Sequence, residues 1–206
     1  MNNKQPNHII LTTPMCQEIL NLAGVSNYKL MNEQNYANAD YAFVLSETRI
    51  PENSSAQFIK LKLNTFAQIV QSIKIVRETL NIRNRSVKLN KQLKKLVNEN
   101  IHINKRRNEN RKLKIKVYSN FLQEILEDMG FQIVIGSNYD YLVYPDYLKN
   151  EIINEINFAG KRAIALPSHK KAPLNPIKRA EIRYHIFEKK LCMKTYPNGI
   201  ILSKKL

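Results

Sequence analysis

The sequence contains few of the residues on which several classes of protein depend. Among its 206 residues there are 2 cysteines, 5 glycines and no tryptophan. Cys16 and Cys192 lie far apart and form no metal pattern, so we predict a reducing, cytoplasmic setting. Five glycines leave little material for a phosphate-binding loop, and neither G-x-x-x-x-G-K-[ST] nor G-x-G-x-x-G occurs. The common nucleotide-binding motifs are therefore excluded.

Signals for membrane insertion, export and metal binding are also absent from the sequence. No window approaches eighteen uninterrupted apolar residues, and no basic-then-apolar segment opens the chain, so we predict no membrane partner. No metal site is predicted, because the four histidines have no ligand spacing: His8, His102, His169 and His185. Neighbouring residues supply no nucleophile–base pair, so an enzyme is the least supported class, and no motif identifies a cofactor.

The chain is strongly basic, with a net charge of +16 that is unevenly distributed. Residues 1–82 carry +1, 83–116 carry +11, 117–160 carry −6 and 161–206 carry +10. A dense basic segment can hold a polyanion. Part of the lysine excess fits an AT-rich coding sequence, because asparagine, lysine and isoleucine are all abundant, but that bias does not explain the acidic segment.

A short sequence occurs twice and indicates an internal repeat. Gln-Glu-Ile-Leu stands at 17–20 and again at 123–126, and Gly24 and Gly130 close the two segments. Each copy follows a predicted strand and has apolar residues at helical spacing, and the glycines stand where a helix would end. Downstream, both copies share Asn-x-Asp-Tyr ahead of an apolar strand, followed by a further strand and helix.

Strands that alternate with helices predict α/β units with largely parallel sheets. We therefore expect two duplicated, small Rossmann-like lobes: residues 1–82 and residues 113–206, the second ending in a hairpin at Pro197-Asn198-Gly199. A long basic helix, 83–112, would join them, since neither proline nor glycine occurs from 65 to 111 and one or two long helices can form. This plan is similar to two-lobed binding proteins whose halves are bridged by one helix and whose ligand lies in the cleft.

Ligands of open α/β sheets collect beyond the carboxyl ends of the strands, where helices begin. This rule selects an anion- or ligand-binding set from both predicted lobes: Thr12, Thr13, Cys16, Ser46, Arg49, Ser119, Asn120, Ser168, His169, Lys170, Lys171, Arg179 and Arg183. Thr13 and Ser119 are predicted to cap the helices that follow them, and Asn175-Pro176 is predicted to start another.

Two members of this set have a specific chemical rationale. Cys16, near the start of a helix, would have a lowered thiol pKa, although a buried, inert cysteine is the favoured interpretation. The segment 166–183 places basic side chains beside a helix N-terminus, which suits a phosphate or carboxylate, although a solvated basic helix is an equal alternative.

Two functions of different class remain open from the sequence. The preferred one is non-catalytic recognition of RNA or another polyanion through the basic helix 83–116 and the segment 168–190, with phosphate contacts from Lys88, Lys91, Lys94, Lys95, Lys105, Arg106, Arg107 and Arg111. The alternative is a two-lobed binder, or a delivery or assembly factor, for an anionic small molecule or cofactor in the cleft. A subunit that docks on an acidic protein partner is a third possibility.

Overall fold

The computed structural model describes residues 8–32, 38–52, 54–82, 110–167 and 172–192, together with the single positions 94, 98, 103 and 107. Within these residues no helix is long and apolar enough to cross a membrane. The C-terminal hairpin predicted at 197–199 lies outside the described residues.

The first lobe is a parallel four-stranded sheet with two helices. Its strands are β1 (Ile10–Thr12), β2 (Lys29–Leu30), β3 (Tyr41–Leu45) and β4 (Gln57–Leu61), and they lie in the order β2-β1-β3-β4. All three pairings are parallel. The helices are α1 (Gln17–Ala23) and α2 (Phe66–Thr79).

The second lobe repeats this arrangement. Its strands are β5 (Lys114–Val117), β6 (Gln132–Ile133), β7 (Tyr141–Pro145) and β8 (Ala163–Leu166), in the parallel order β6-β5-β7-β8. Its helices are α3 (Asn120–Asp128), α4 (Ile153–Ala159) and α5 (Pro176–Phe187), with short turns at Asp146–Leu148, Gly160–Arg162 and Glu188–Cys192. The predicted fold class, two α/β lobes with parallel sheets, is confirmed.

The shared Asn-x-Asp-Tyr has the same structural use in both lobes. The Oδ2 atom of Asp40 accepts a hydrogen bond from the Ile9 amide at 2.7 Å, and Asp140 Oδ2 accepts one from the Lys114 amide at 2.7 Å. Each aspartate therefore joins the start of the third strand of its lobe to the start of the first, by satisfying an amide that the parallel ladder leaves open. The repeated Asn-x-Asp-Tyr motif therefore makes the same contact between strands in each lobe.

The predicted helix ends are partly correct. Gly24 and Gly130 have φ of +91° and +88°, the left-handed conformation that glycine adopts without steric cost. Asn175 caps α5, because its side chain accepts hydrogen bonds from two amides of the first turn. Ser119 occupies the cap position of α3 without a side-chain bond, and Thr13 does not cap α1, since a turn through Pro14 delays the helix and Cys16 takes the cap position.

The connector does not simply continue α2. That helix ends at Thr79, and Asn81 has a φ of +50°, which breaks the helical path. The described connector positions 94, 98, 103, 107 and 110 are helical. Near its end the connector packs on the second lobe, where Asn110 Nδ2 donates to the Met129 carbonyl at 2.7 Å.

One hydrophobic core joins the two lobes. A single cluster of buried residues contains Phe43 and Ile69 from the first lobe and Ile125 and Phe187 from the second. Across the junction the rings of Phe66 and Tyr184 stack with centroids 4.6 Å apart. Because α2 and α5 pack against each other, the carboxyl ends of both sheets are held close to one interface.

Candidate anion site between the lobes

Helix α5 carries two arginines into the junction between the lobes. Arg179 and Arg183 are four residues apart, so they lie on the same face of the helix. Their exposed fractions are only 3% and 2%. Nη1 of Arg179 lies 3.0 Å from the Met15 sulfur and 3.4 Å from the Pro173 carbonyl oxygen. Since Met15 belongs to the turn between β1 and α1, Arg179 reaches across to the first lobe.

Arg183 is buried, and the part of the chain that the structure describes offers its guanidinium no polar partner. Its guanidinium lies over the ring of Phe121, in the first turn of α3, at 4.5 Å from the centroid. Among the described residues, Nε, Nη1 and Nη2 of Arg183 and Nε of Arg179 have no hydrogen-bond partner. The ion pairs found within the described ranges include neither arginine. The result is a buried pair of cations with most of its donors unused.

Burial destabilises the charged form of both side chains. Burial lowers the pKa of Arg183 to about 10, and the neighbouring charge of Arg179 adds to the effect. Burial also lowers the pKa of Arg179. Both groups remain protonated at neutral pH, so each pKa shift measures the cost of holding a cation away from water. Buried charges are normally paired, which makes this arrangement unusual.

Comparison of the two lobes shows that the arginines are not required by the packing. Helices α2 and α5 begin at the equivalent caps Thr65 and Asn175, so the fourth and eighth residues after each cap correspond. In α2 these residues are Ile69 and Ile73, which are 0% and 4% exposed. The first lobe therefore fills the same helical positions with isoleucine, whereas the second lobe carries Arg179 and Arg183 there.

The carboxyl end of β1 contributes the other predicted residues of this region. The Thr13 hydroxyl lies next to the Cys16 thiol, and both Arg179 and Glu47 are within electrostatic reach of that thiol. Burial raises the pKa of Cys16 to about 11, against the lowered value considered from the sequence, and its side chain is fully buried. Thr12 is also fully buried and donates to the Phe43 carbonyl at 3.3 Å. Cys16 and Thr12 are thus packed inside the first lobe, and their assignment as ligand contacts stays a prediction.

The remaining predicted ligand residues fall into three groups, of which the structure describes two. Ser46 donates to Glu47 at 2.7 Å at the end of β3, and Arg49 is exposed beyond it. Ser119 and Asn120 stand at the start of α3, immediately before Phe121. Ser168, His169, Lys170 and Lys171 lie outside the described residues. Phe121, Met15 and Pro173, which surround the arginines, were not singled out by the sequence.

The structure describes three of the eight predicted polyanion contacts of the basic connector. Lys94 and Arg111 are exposed, but Arg107 is bound to Asp128, with Nη2–Oδ1 and Nε–O distances of 2.6 Å. Lys116, at the end of segment 83–116, is bound to Glu155. Arg107 therefore forms an internal ion pair, and its predicted phosphate contact stays a prediction. Five predicted contacts lie outside the described residues: Lys88, Lys91, Lys95, Lys105 and Arg106.

A carboxylate bridges the lobes beside the arginine site. Glu124 of α3 accepts hydrogen bonds from Lys62 at 3.1 Å and from Asn64 and Gln68 at 2.9 Å, all from the first lobe. Burial alone would raise the pKa of Glu124, but these bonds outweigh it and lower the pKa below its usual value. Glu124 is therefore an inter-lobe contact.

No protein-family model matches this chain, and no curated protein matches it. Among solved structures, a Zn(II)-bound mutant variant of AdcAII from Streptococcus pneumoniae has a TM-score of 0.61 and 10% identity, over 90% of this chain and 100% of that chain. An ABC transporter substrate-binding protein from Listeria monocytogenes has a TM-score of 0.61 and 11% identity, over 91% and 100%. The chain shares their two-lobed fold. The metal-dependent lipoprotein YcdH from Bacillus subtilis is also similar, with a TM-score of 0.55 and 11% identity over 89% and 98%.

The residues at the lobe junction do not fit a metal ion. In the part of the chain that the structure describes, no group of three or more histidine, cysteine, aspartate or glutamate side chains could hold one. Among the described residues, Arg179 and Arg183 bury two guanidinium ions there, which repel cations and are never metal ligands.

Proposed function

We propose that this protein binds an anionic small molecule at the junction of its two lobes, through Arg179 and Arg183. The observation that supports this proposal is a buried pair of guanidinium groups, four of whose nitrogens have no hydrogen-bond partner among the described residues. Leaving a buried charge unpaired costs several kcal/mol, roughly 3–5 when a partner is removed. An anion that enters between the lobes would supply the missing charge and the missing acceptors.

The fold supports the same proposal. Its solved neighbours include a substrate-binding protein, so the fold is one in which two lobes surround a ligand. The neighbours described as zinc-bound or metal-dependent bind cations, whereas this junction carries positive charge. The polyanion interpretation is less favoured, because Arg107 and Lys116 are already paired with acids of the chain and the arginines of α5 are too buried to contact a long polymer.

The proposal is tested by anion-dependent thermal stabilisation. The protein is unfolded, refolded and dialysed against a low-salt buffer without polyvalent anions, and then titrated with inorganic phosphate, sulfate and citrate. We expect at least one anion to raise the melting temperature of the natural protein in a saturable manner. The double variant Arg179→Met/Arg183→Met should lose this response.

Lys178→Met is the matched control, because Lys178 is an exposed cation on the same helix. It removes one charge from the protein surface and should leave the response intact. Equal stabilisation of the natural protein and the double variant, or no saturable response to any of the anions in the natural protein, would contradict the proposal.

A further inference from the structure

We infer that the ligand presents a dianionic tetrahedral oxyanion, such as free phosphate or the head group of a phosphate monoester, to Arg179 and Arg183. This inference rests on the proposed function and narrows it to one chemical class. The site carries two positive charges, and within the described residues no carboxylate lies in ion-pair contact with either. A single carboxylate would leave one buried charge uncompensated, whereas a dianion balances both.

The number of free donors points to the same class. Four guanidinium nitrogens are unused in the described structure: three on Arg183 and Nε of Arg179. A carboxylate offers two oxygens, but a phosphoryl group offers three or four in a tetrahedral arrangement. The guanidinium of Arg183 lies over the ring of Phe121, and the N–H groups of a planar guanidinium suit bidentate contacts with phosphate oxygens.

The burial of the two arginines favours a small phosphate compound over a nucleic acid as the ligand. A backbone phosphate of RNA is a diester, which carries one charge and continues into the chain on both sides. Arg179 and Arg183 are 3% and 2% exposed, so they present almost no accessible surface to a polymer. Entry of even a small anion requires the first-lobe turn at Met15 or the segment at Pro173 to move away from Arg179.

The experiment compares four ligands by calorimetry at constant ionic strength: inorganic phosphate, phenyl phosphate, dimethyl phosphate and acetate. We expect phosphate, phenyl phosphate or both to bind about tenfold or more tightly than the two monoanions, because of the second charge. Binding of the free ion alone would identify inorganic phosphate as the source, and equal binding of phenyl phosphate would identify a monoester. Both results support a dianion site.

The pH dependence provides an independent measurement. The second ionisation of a phosphate monoester lies near pH 6, so affinity for phenyl phosphate should rise several-fold from about pH 5 to 7.5. Arg183 and Cys16, with pKa values of about 10 and 11, keep their protons over this range, as does Arg179. Sulfate is a dianion over this whole pH range, so its affinity reports any effect of titrating Glu47 or another group of the protein. We expect the affinity for sulfate to change little between about pH 5 and 7.5.

The two proposals fail differently. Binding of acetate or dimethyl phosphate as tight as that of phosphate, and lost in Arg179→Met/Arg183→Met, would overturn the dianion inference and leave the anion site standing. Binding of no anion, or binding that the double variant retains, would overturn the proposed function itself.

Discussion

Replacement of Arg183 by methionine separates a binding role from a structural one. Methionine matches the length of the arginine stem and can occupy a buried position without a charge. If Arg183 is retained for a ligand, the variant should be more stable than the natural protein in the absence of anions and should no longer respond to them. A residue that serves the fold alone should show the opposite change in stability.

The size of the effect follows from the burial of Arg183. Its pKa of about 10 lies well below the ordinary arginine value, and each pH unit corresponds to about 1.4 kcal/mol, so the charged form is destabilised by about 3 kcal/mol. The variant loses the contact with Phe121, worth about 1–2 kcal/mol when desolvated. The net expectation is a gain of about 1–2 kcal/mol, or a melting temperature higher by about 2–8 °C for a chain of this length.

The assay is urea and thermal denaturation at pH 7 of protein refolded without polyvalent anions, with Lys178→Met as the control. At pH 7 Arg183 is protonated in both the folded and the unfolded chain, so the destabilisation caused by its buried charge is fully present. This destabilisation decreases only as the pH rises above about 10, because the side chain then loses its proton in the folded state before it does so in the unfolded state. A loss of 2 kcal/mol or more in Arg183→Met would refute the reasoning, because it would show that the cation stabilises the empty protein.

Three further predictions concern the lobe junction and the repeat. Glu124→Gln should lower the free energy of unfolding by about 1–2 kcal/mol, whereas Glu18→Gln at the repeat-equivalent position should lower it by less than about 0.5 kcal/mol. Because the folded protein lowers the pKa of Glu124, the stabilisation by this carboxylate is present above about pH 4.5 and is lost as the pH falls through the folded pKa. The stability of Glu124→Gln should therefore depend less on acid than that of the natural protein. Gly130→Ala should lower the free energy of unfolding by at least about 1–2 kcal/mol more than Gly24→Ala does. Both glycines have a positive φ, but of the two only Gly130 would bring an added Cβ atom against the connector backbone, at 2.7 Å. Cys16, in a variant without the other cysteine, should react with a thiol reagent at pH 7.5 at least about a hundredfold more slowly than in the unfolded chain, since its pKa is about 11.

Each of these predictions has a contrary outcome. Equal costs for the two glutamine variants would show that Glu124 does not hold the lobes together. Equal costs for the two alanine variants, measured by urea denaturation, would show that the connector does not pack against Gly130. Rapid labelling of Cys16 in the folded protein would show that the junction opens readily or that the thiol is ionised.

The sequence predicted the fold well because the relevant signals are local. Alternation of strands and helices, the glycines at 24 and 130 and the Asn175-Pro176 helix start each depend on a few consecutive residues, and all appear in the structure. The repeated motif identified the duplication, and the identical strand orders follow from it. Boundaries were less accurate where one turn is inserted, as between Thr13 and α1.

The site was only partly predictable, because burial is a property of distant segments. Arg179 and Arg183 were among the anion-binding candidates, but a basic helix start is equally compatible with a solvated surface. Met15 and Phe121, which bury them, are far away in the chain. One signal was available: alignment of α2 and α5 by their caps places the two arginines opposite Ile69 and Ile73.

That alignment also explains how a duplicated module could acquire a ligand site. Two identical lobes would bring matching apolar helix faces to the junction, and such a junction would be a core with no specificity for any ligand. The second copy departs from this symmetry at two neighbouring positions that the first copy keeps as buried isoleucine. Because a buried charge without a partner destabilises the protein that carries it, the pair is best accounted for by a partner that arrives from solution. The asymmetry between the copies, rather than the total charge of the chain, therefore identifies the surface on which binding should be sought.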